Sequence, residues 1–320
     1  MKAPTLFQRF HRVAQAAAFL GALFTLAGVL GHYAWFLEIF THFKPQLAGC
    51  FLGYAALELV ARRHRHAAFS LAFAALNAAP VLLLFLPEAS QGKTLAAGTA
   101  HLRVLQANIL TCNTNSAALL ALIARENPDV VVLQEPDAWW LDKLAPLTNS
   151  YPVFAALPRD DNFGAAIYCK TNALSADIFL LSDPEGVPSS RARIVVNGKT
   201  VTIVGTHTPA PYNALMWRDR NSFTRELAQT LRKTEGPLVV TGDFNNTPWS
   251  THFRAFLKDS DLLDSAQGRG PQPTWPTSYL PLARIPLDHC FHSEDVQILA
   301  KRPGTPIGSD HLPLIIDISF

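Results

Sequence analysis

The sequence predicts a mixed α+β domain preceded by an N-terminal helical membrane region. Hydrophobic residues make up 49% of the chain and charged residues 16%, and the apolar excess is concentrated before residue 90. From residue 102 onward, apolar runs of strand length alternate with a few segments of helical period. We therefore expect a membrane region over 1–89, a linker over 90–101 and a second domain over 102–320.

Three apolar runs predict three membrane-spanning helices, near residues 13–31, 46–61 and 67–87. The first and third runs contain about 18 to 20 residues without a charge, which is enough to cross the hydrocarbon core. The middle run is shorter and contains Glu58, so it is the weakest candidate. A packed helical subdomain is the alternative. A cleaved signal peptide fits less well, because the first run exceeds the usual apolar stretch of about 7 to 15 residues.

The positions of lysine and arginine predict how these helices are oriented. Basic residues precede the first run and separate the second run from the third; they are Lys2, Arg9, Arg12, Arg62, Arg63 and Arg65. Lys44 is the one basic residue in the connection between the first two runs. Because loops rich in basic residues stay in the cytoplasm, three spans place the N-terminus inside and the second domain outside. We therefore predict an integral membrane protein, of the bacterial inner-membrane type, with an extracytoplasmic domain.

The charge is divided unevenly between the two parts. Residues 1–90 contain seven lysines and arginines against three acidic residues, whereas the remaining chain contains 20 against 22. The basic balance of the chain therefore belongs to the membrane-flanking residues. A domain of net negative charge lacks the electrostatic footprint of a strong nucleic-acid binder, which counts against DNA as the obvious substrate. The four cysteines match no metal-binding spacing.

The segment TGDFNNTPWS, residues 241–250, follows the apolar run Leu238–Val240 and predicts a buried strand that ends in a loop. Because side chains alternate along an extended backbone, we expect Asp243 and Asn245 on one face. A carboxylate beside an amide suits water activation and oxyanion contact. Taken alone, the same residue types also describe an ordinary strand-to-turn junction.

Other polar residues follow, or stand within, apolar runs of the same kind. They are Asn108 after LRVLQA, Glu135 after VVVLQ, His207 after VTIVGT, Asp288 in IPLDHCF, and Asp310 with His311 in GSDHLPLIIDI. This repeated placement at strand ends favours a catalytic constellation over unrelated turns.

The ordered set Asn, Glu, His, Asp-x-Asn, Asp and Asp-His resembles that of the endonuclease/exonuclease/phosphatase superfamily, the deoxyribonuclease-I-like phosphoesterases. The resemblance extends from Leu102 to Phe320. It implies a four-layer α/β/β/α sandwich of two packed sheets with the active site at one edge. It also implies hydrolysis of a phosphodiester or phosphomonoester with Mg²⁺, for which Mn²⁺ is the second candidate.

The resemblance and the residue chemistry together suggest a role for each side chain. Metal ligands are Glu135, assisted by Asn108 and by Asp310 from the opposite side. Asp243 is the base or water-orienting group, and Asn245 orients it or holds the developing oxyanion. Asp288 keeps His311 in one tautomer and cationic, which favours a phosphate contact. His207 is a second phosphate-facing histidine.

The substrate stays open at this point. A nuclease-like enzyme and a lipid head-group phosphodiesterase or phosphatase share the same metal chemistry, and a non-catalytic, membrane-tethered binding protein would use the same cleft. The candidate partners are therefore a phosphate ester (nucleic acid or phospholipid head group) and the lipid bilayer, and no protein partner is implied. The resemblance also implies a further residue near the phosphate, for which Asn162 is favoured over Tyr168, Arg191 and Arg193. Trp249, Trp275 and Tyr279 are candidates for stacking on a substrate, and exposed packing residues are the alternative.

Overall fold

The structure, a computed structural model, describes residues 6–87, 100–181 and 186–320. Most of the predicted linker, residues 90–99, lies outside these ranges. Ala100 is buried, and His101 already begins the first strand. The second domain therefore starts at the last two residues that were assigned to the linker.

Eight α-helices occur in the described residues. They are α1 (Leu6–Val29), α2 (Trp35–Glu38), α3 (Lys44–Val60), α4 (His64–Leu82), α5 (Ser116–Glu126), α6 (Ala138–Leu144), α7 (Ala214–Leu231) and α8 (Thr251–Ser260). Short 3-10 helices cover Ile39–Thr41, Leu83–Phe85, Ala145–Asn149 and Pro281–Ala283. The N-cap of α5 is Asn115. The Asn115 carboxamide oxygen accepts from the backbone N–H of Ala118.

Within the described ranges, twelve strands form two six-stranded sheets. They are β1 (His101–Asn108), β2 (Val130–Gln134), β3 (Val153–Leu157), β4 (Ala165–Cys169), β5 (Ala173–Leu180), β6 (Pro188–Val196), β7 (Lys199–His207), β8 (Leu238–Asp243), β9 (Leu263–Asp264), β10 (Asp288–His292), β11 (Gln297–Pro303) and β12 (Leu314–Ser319). The strand orders are β11-β12-β1-β2-β4-β3 and β5-β6-β7-β8-β10-β9. The two parallel pairs, β1 with β2 and β7 with β8, are joined through α5 and α7.

The core lies between the two sheets. Val104 and Val132 of the first sheet pack in one cluster with Ile203 and Val239 of the second, and all four are fully buried. Neighbouring residues on these strands point outward, because the side-chain period of a strand is two. They pack under α5 and α6 on one side and under α7 and α8 on the other. The predicted sandwich of two sheets with outer helices is confirmed.

The N-terminal region is a bundle of α1, α3 and α4. The amide nitrogen of Asn77 in α4 donates to Thr25 Oγ1 in α1 at 2.8 Å, and His11 near the start of α1 pairs with Glu58 near the end of α3 at 3.2 Å. These contacts make α1 parallel to α4 and antiparallel to α3. The described arginines of the predicted inner side therefore lie at the end of the bundle where α1 begins; they are Arg9, Arg12, Arg62, Arg63 and Arg65.

Two helices of the described chain are long and apolar enough to cross a membrane. They cover Arg9–Val29 and His64–Phe85, with mean hydropathies of 1.5 and 2.0. The helix α3 contains 17 residues and falls just short in length. Two of the three predicted spans therefore meet these criteria, and the three-span arrangement stays a prediction.

The other end of the bundle packs against the second domain. Glu38 of α2 is 2% exposed and pairs with Arg220 of α7, which is fully buried. The same carboxylate accepts from Ser250 Oγ at 2.7 Å and from the Trp217 indole N–H. Burial alone would raise the pKa of Glu38, but the charge of Arg220 together with the hydrogen bonds from Ser250 and Arg220 holds it below its usual value. The two parts of the chain are therefore joined through a buried ion pair as well as through the chain itself.

Candidate active site

The strand ends of both sheets meet at one edge of the sandwich. In the first sheet β1 ends at Asn108, and Glu135 follows the end of β2 directly. In the second sheet His207 pairs with Asp243 across the parallel strands β7 and β8, and Asp288 pairs with Asp243 across β8 and β10. The strand register alone therefore brings these predicted residues together.

The carboxylate oxygen Oδ2 of Asp243 lies at the centre of the cluster. Asn108 Nδ2 is 3.2 Å from this oxygen, and the Nε2 atoms of His207 and His311 are each 3.6 Å from it. Asp243 is 1% exposed, and this burial raises its pKa despite the neighbouring histidines. A carboxylate of raised pKa accepts a proton more readily than an exposed one.

Asp288 and His311 form the predicted pair. His311 Nδ1 lies 2.8 Å from Asp288 Oδ2, while Asp288 Oδ1 accepts from the Gln106 amide at 2.9 Å. Burial by itself would favour neutral imidazole, but the charges of Asp288 and Asp243 raise the pKa of His311 to about 10. The pKa of Asp288 is lowered because the attraction of His311 and these hydrogen bonds overcome its burial. His311 is therefore cationic at neutral pH, with Nε2 directed toward Asp243.

Asn245 reaches the site by a turn and not by strand alternation, so the expected reason for its position was wrong. The strand ends at Asp243, and Asn245 takes a left-handed conformation with φ 45°. Its backbone N–H donates to Asp243 Oδ1 at 2.8 Å, and its side-chain amide donates to the Thr208 carbonyl at 2.9 Å. The same amide nitrogen is 3.3 Å from His207 Nε2. Asn245 thus holds both Asp243 and the segment that follows β7.

The glycine before Asp243 is required by close packing. Gly242 has φ 155°, and a Cβ atom there would lie 1.8 Å from the Thr206 carbonyl oxygen. Any other residue would push β8 away from β7, because that contact is far below van der Waals distance. Glu135 has a φ of 68°, a left-handed conformation that is uncommon for glutamate and concentrates at functional sites.

Glu135 and Asp310 are the carboxylates that fit a hard divalent cation. Asp310 Oδ2 accepts from the Trp275 indole at 2.9 Å, but Oδ1 is buried and has no hydrogen-bond partner among the described residues. Both carboxylates line the same pocket. Mg²⁺ is commonly held by one or two carboxylates together with several waters, so this donor set suits it. The described residues contain no cluster of three or more histidine, cysteine or acidic side chains arranged as metal ligands.

The amide of Asn108 is oriented differently from a metal ligand. Its Oδ1 accepts from the backbone N–H of Leu110 at 3.0 Å, while Nδ2 donates to Glu135 Oε1 at 2.8 Å and to Asp243. In this arrangement Asn108 positions two carboxylates. Its predicted role as a metal ligand therefore stays a prediction.

The pocket over this cluster has a volume of about 470 Å³ and is lined by residues from both parts of the chain. Polar residues of the second domain in the lining include Glu135, Asn162, His207, Asp243, Asn245, Asp310 and His311. The N-terminal region contributes Trp35, Ile39, His42 and Phe43, and Tyr212 and Met216 also line the pocket. A larger cavity of about 540 Å³ lies near Arg103 and Asp317, away from these groups.

The remaining candidates divide clearly between the pocket and the rest of the domain. Asn162 and Trp275 line the pocket. Tyr168 and Trp249 are buried in apolar clusters, Arg191 pairs with Asp177, and the side chains of Arg193 and Tyr279 are exposed outside it. Sequence reasoning missed Gln106 and the residues of the N-terminal region. A glutamine in the middle of an apolar strand run was the available signal for the first, and no motif pointed to the others.

Comparison with known proteins agrees with this architecture. Residues 105–311 match the Endonuclease/Exonuclease/phosphatase family. Nocturnin of Drosophila melanogaster is 25% identical over 176 residues, covering 48% of this chain and 27% of that protein. The chain therefore spans about a quarter of the length of this curated relative.

Solved structures show the same fold at low sequence identity. The endonuclease/exonuclease/phosphatase from Bacteroides vulgatus has a TM-score of 0.59 at 19% identity, covering 68% of this chain and 98% of its own. The catalytic domain of human Nocturnin with bound sulfate has a TM-score of 0.56 at 22% identity, covering 69% of this chain and 97% of its own. D. rerio TDP2 with a single-strand DNA product has a TM-score of 0.56 at 18% identity, covering 68% of this chain and 99% of its own. The chain belongs to the Endonuclease/Exonuclease/phosphatase family.

Proposed function

We propose that the protein is a membrane-anchored, divalent-cation-dependent phosphoesterase whose active site lies outside the cytoplasm. The observation that supports this proposal most directly is the convergence of Asn108, His207 and His311 on one oxygen of Asp243, with His311 held by Asp288. A buried carboxylate surrounded by donors, one of them cationic, is suited to take a proton beside a bound phosphate.

The protein groups divide the reaction between them. A bound Mg²⁺ or Mn²⁺, held by Glu135 and Asp310, would neutralise charge on the phosphate oxygens. Asp243 orients a water and takes its proton as the water oxygen bonds to phosphorus and the ester P–O bond breaks. The leaving oxygen then takes a proton from solvent. His311, cationic through Asp288, and His207 donate hydrogen bonds to the phosphoryl oxygens as their charge increases.

Phosphate-ester hydrolysis by the full-length chain in detergent tests this proposal. We expect p-nitrophenol release from bis(p-nitrophenyl) phosphate or p-nitrophenyl phosphate with Mg²⁺, and loss of release with excess chelator, because Asp310 Oδ1 and Glu135 would lose their counter-cation. Restored release on adding Mg²⁺ or Mn²⁺ back is the control. A folded chain that hydrolyses neither compound would favour the binding-protein alternative.

Membrane anchoring is supported by the surface of the N-terminal bundle. In the most apolar 18-residue stretch of each of the two long helices, 17% and 22% of the residues are buried. The core helix of a soluble protein, by contrast, is mostly buried. Large side chains such as Phe19, Leu26 and Leu76 are exposed along the helices. The second domain packs at the end of the bundle opposite the arginines, which favours a domain outside the cytoplasm.

A C-terminal fusion tests this orientation. Alkaline phosphatase joined after Phe320 is expected to be active in cells, because it folds outside the cytoplasm, whereas a cytoplasmic green fluorescent protein at the same place is expected to be dark. The opposite pair of signals would contradict the three-span topology. A fusion after Arg63, between the second and third helices, is the matched control and is expected to give the reverse pattern.

A further inference from the structure

The connection between the first two predicted spans forms a wall of the catalytic pocket. Trp35, Ile39 and Phe43 belong to this connection and line the pocket that contains Asp243 and His311. The side chains of Ile39 and Phe43 are 39% and 40% exposed, so part of each is open to the pocket or its mouth. Membrane anchoring requires only the helices, so it does not explain why the connection between them lines the pocket.

The wall is apolar, and the pocket contains little to hold a polyanion. The described lining carries no lysine or arginine. Nucleic-acid binding depends on several lysine and arginine contacts along the phosphate backbone. A single phosphate with an apolar body attached matches this lining better than a polynucleotide does.

Exposed apolar residues continue from the pocket toward the bundle. Leu280 and Leu282 are 78% and 90% exposed on a loop of the second domain. The Gln46 amide in the first turn of α3 donates to the carbonyl oxygens of Leu282 and Arg284, at 3.1 and 3.0 Å. This loop is thereby held beside the start of a predicted span, where the bilayer surface would lie. Exposed leucines at such a level are typical of side chains that enter the lipid interface.

We infer that the substrate is an amphiphilic phosphate ester of the membrane, a phospholipid or lipid phosphate, whose apolar body packs against Trp35, Ile39 and Phe43. Its phosphate lies at Asp243 and His311. The inference rests on the proposed phosphoesterase function and names the substrate class for that site. It assigns the connection over residues 35–43 as a specificity-determining part of the active site.

Two substrates that differ only in their alkyl group test the inference. Methyl p-nitrophenyl phosphate and dodecyl p-nitrophenyl phosphate share a leaving group, and the full-length chain in detergent is expected to prefer the dodecyl ester. In Ile39→Asn the dodecyl-to-methyl ratio of kcat/KM is expected to fall about tenfold, because a polar side chain replaces part of the apolar wall. Ile39→Leu is expected to keep the ratio.

Leu299→Asn is the matched control. Leu299 is 45% exposed on β11, outside the pocket, so its substitution is expected to leave both rates and their ratio unchanged. Micelle partitioning is the same for every variant and therefore cancels in the comparison.

The outcomes separate the two proposals. Hydrolysis of both esters with a ratio that Ile39→Asn leaves unchanged would overturn the apolar subsite and leave the phosphoesterase intact. No hydrolysis of either ester, nor of the monoester p-nitrophenyl phosphate, by a folded chain would overturn the phosphoesterase itself. Stronger, salt-sensitive inhibition by a single-stranded oligonucleotide than by a short-chain phospholipid would also overturn the lipid assignment.

Discussion

Asp243→Asn is expected to lower kcat/KM for phosphate-ester hydrolysis by about 10²–10⁴-fold. Asparagine is almost the same size, and its oxygen still accepts from the backbone N–H of Asn245, as Asp243 Oδ1 does at 2.8 Å. It no longer takes a proton from water, and it removes the charge that faces His207 and His311. Steady-state hydrolysis by the full-length variant measures the effect.

Stability separates a catalytic role from a structural one. Burial raises the pKa of Asp243, so the folded state disfavours its charge, and the neutral variant is expected to melt no lower than the original chain. Asp259→Asn, an exposed position in α8, is the control for both activity and melting. Full hydrolysis by a folded Asp243→Asn variant would contradict the assignment of Asp243 as the base.

Glu38→Ala is expected to destabilise the protein by about 3–5 kcal/mol, because it leaves the buried charge of Arg220 without a partner. The carboxylate also accepts from Ser250 and Trp217, and Arg220 in turn donates to the Asn245 carbonyl at 3.3 Å. We therefore expect lower hydrolysis as well as a fall in Tm of roughly 5–15 °C. Thermal unfolding in detergent, followed by circular dichroism, measures the stability.

The pH dependence gives this pair a signature of its own. The pKa of Glu38 in the folded protein lies below its usual value. The stability that the charge of Glu38 contributes is therefore complete above the usual pKa, and it is lost as the pH falls through the folded pKa. The Tm difference between the original chain and Glu38→Gln is therefore expected to shrink in acid. A difference that stays constant would show that the charge of Glu38 contributes nothing. Glu235→Ala, at an exposed position, is the control and should shift stability by less than about 0.5 kcal/mol.

Much of the site could be predicted because its residues follow strands. Asn108, Glu135, His207 and Asp243 each stand at the end of an apolar run, and the carboxyl ends of parallel strands meet at one sheet edge. The motif order then placed these residues in one fold family. Strand alternation did not predict how Asn245 reaches the site, because the left-handed turn there follows from hydrogen bonds that no residue pattern records.

The sequence by itself predicted a mixed α+β domain and the strand ends at which the candidate site residues lie, because apolar periodicity and strand-end polarity are local properties of the chain. The tertiary structure alone decided that Glu38 meets Arg220 across 182 residues and that Ile39 and Asp243 line one pocket. Neither contact has a sequence signature, since each depends on how the helical bundle packs against the end of the sandwich. A chain cut near residue 102 would lose the counter-charge of Arg220 and the N-terminal residues that line the pocket.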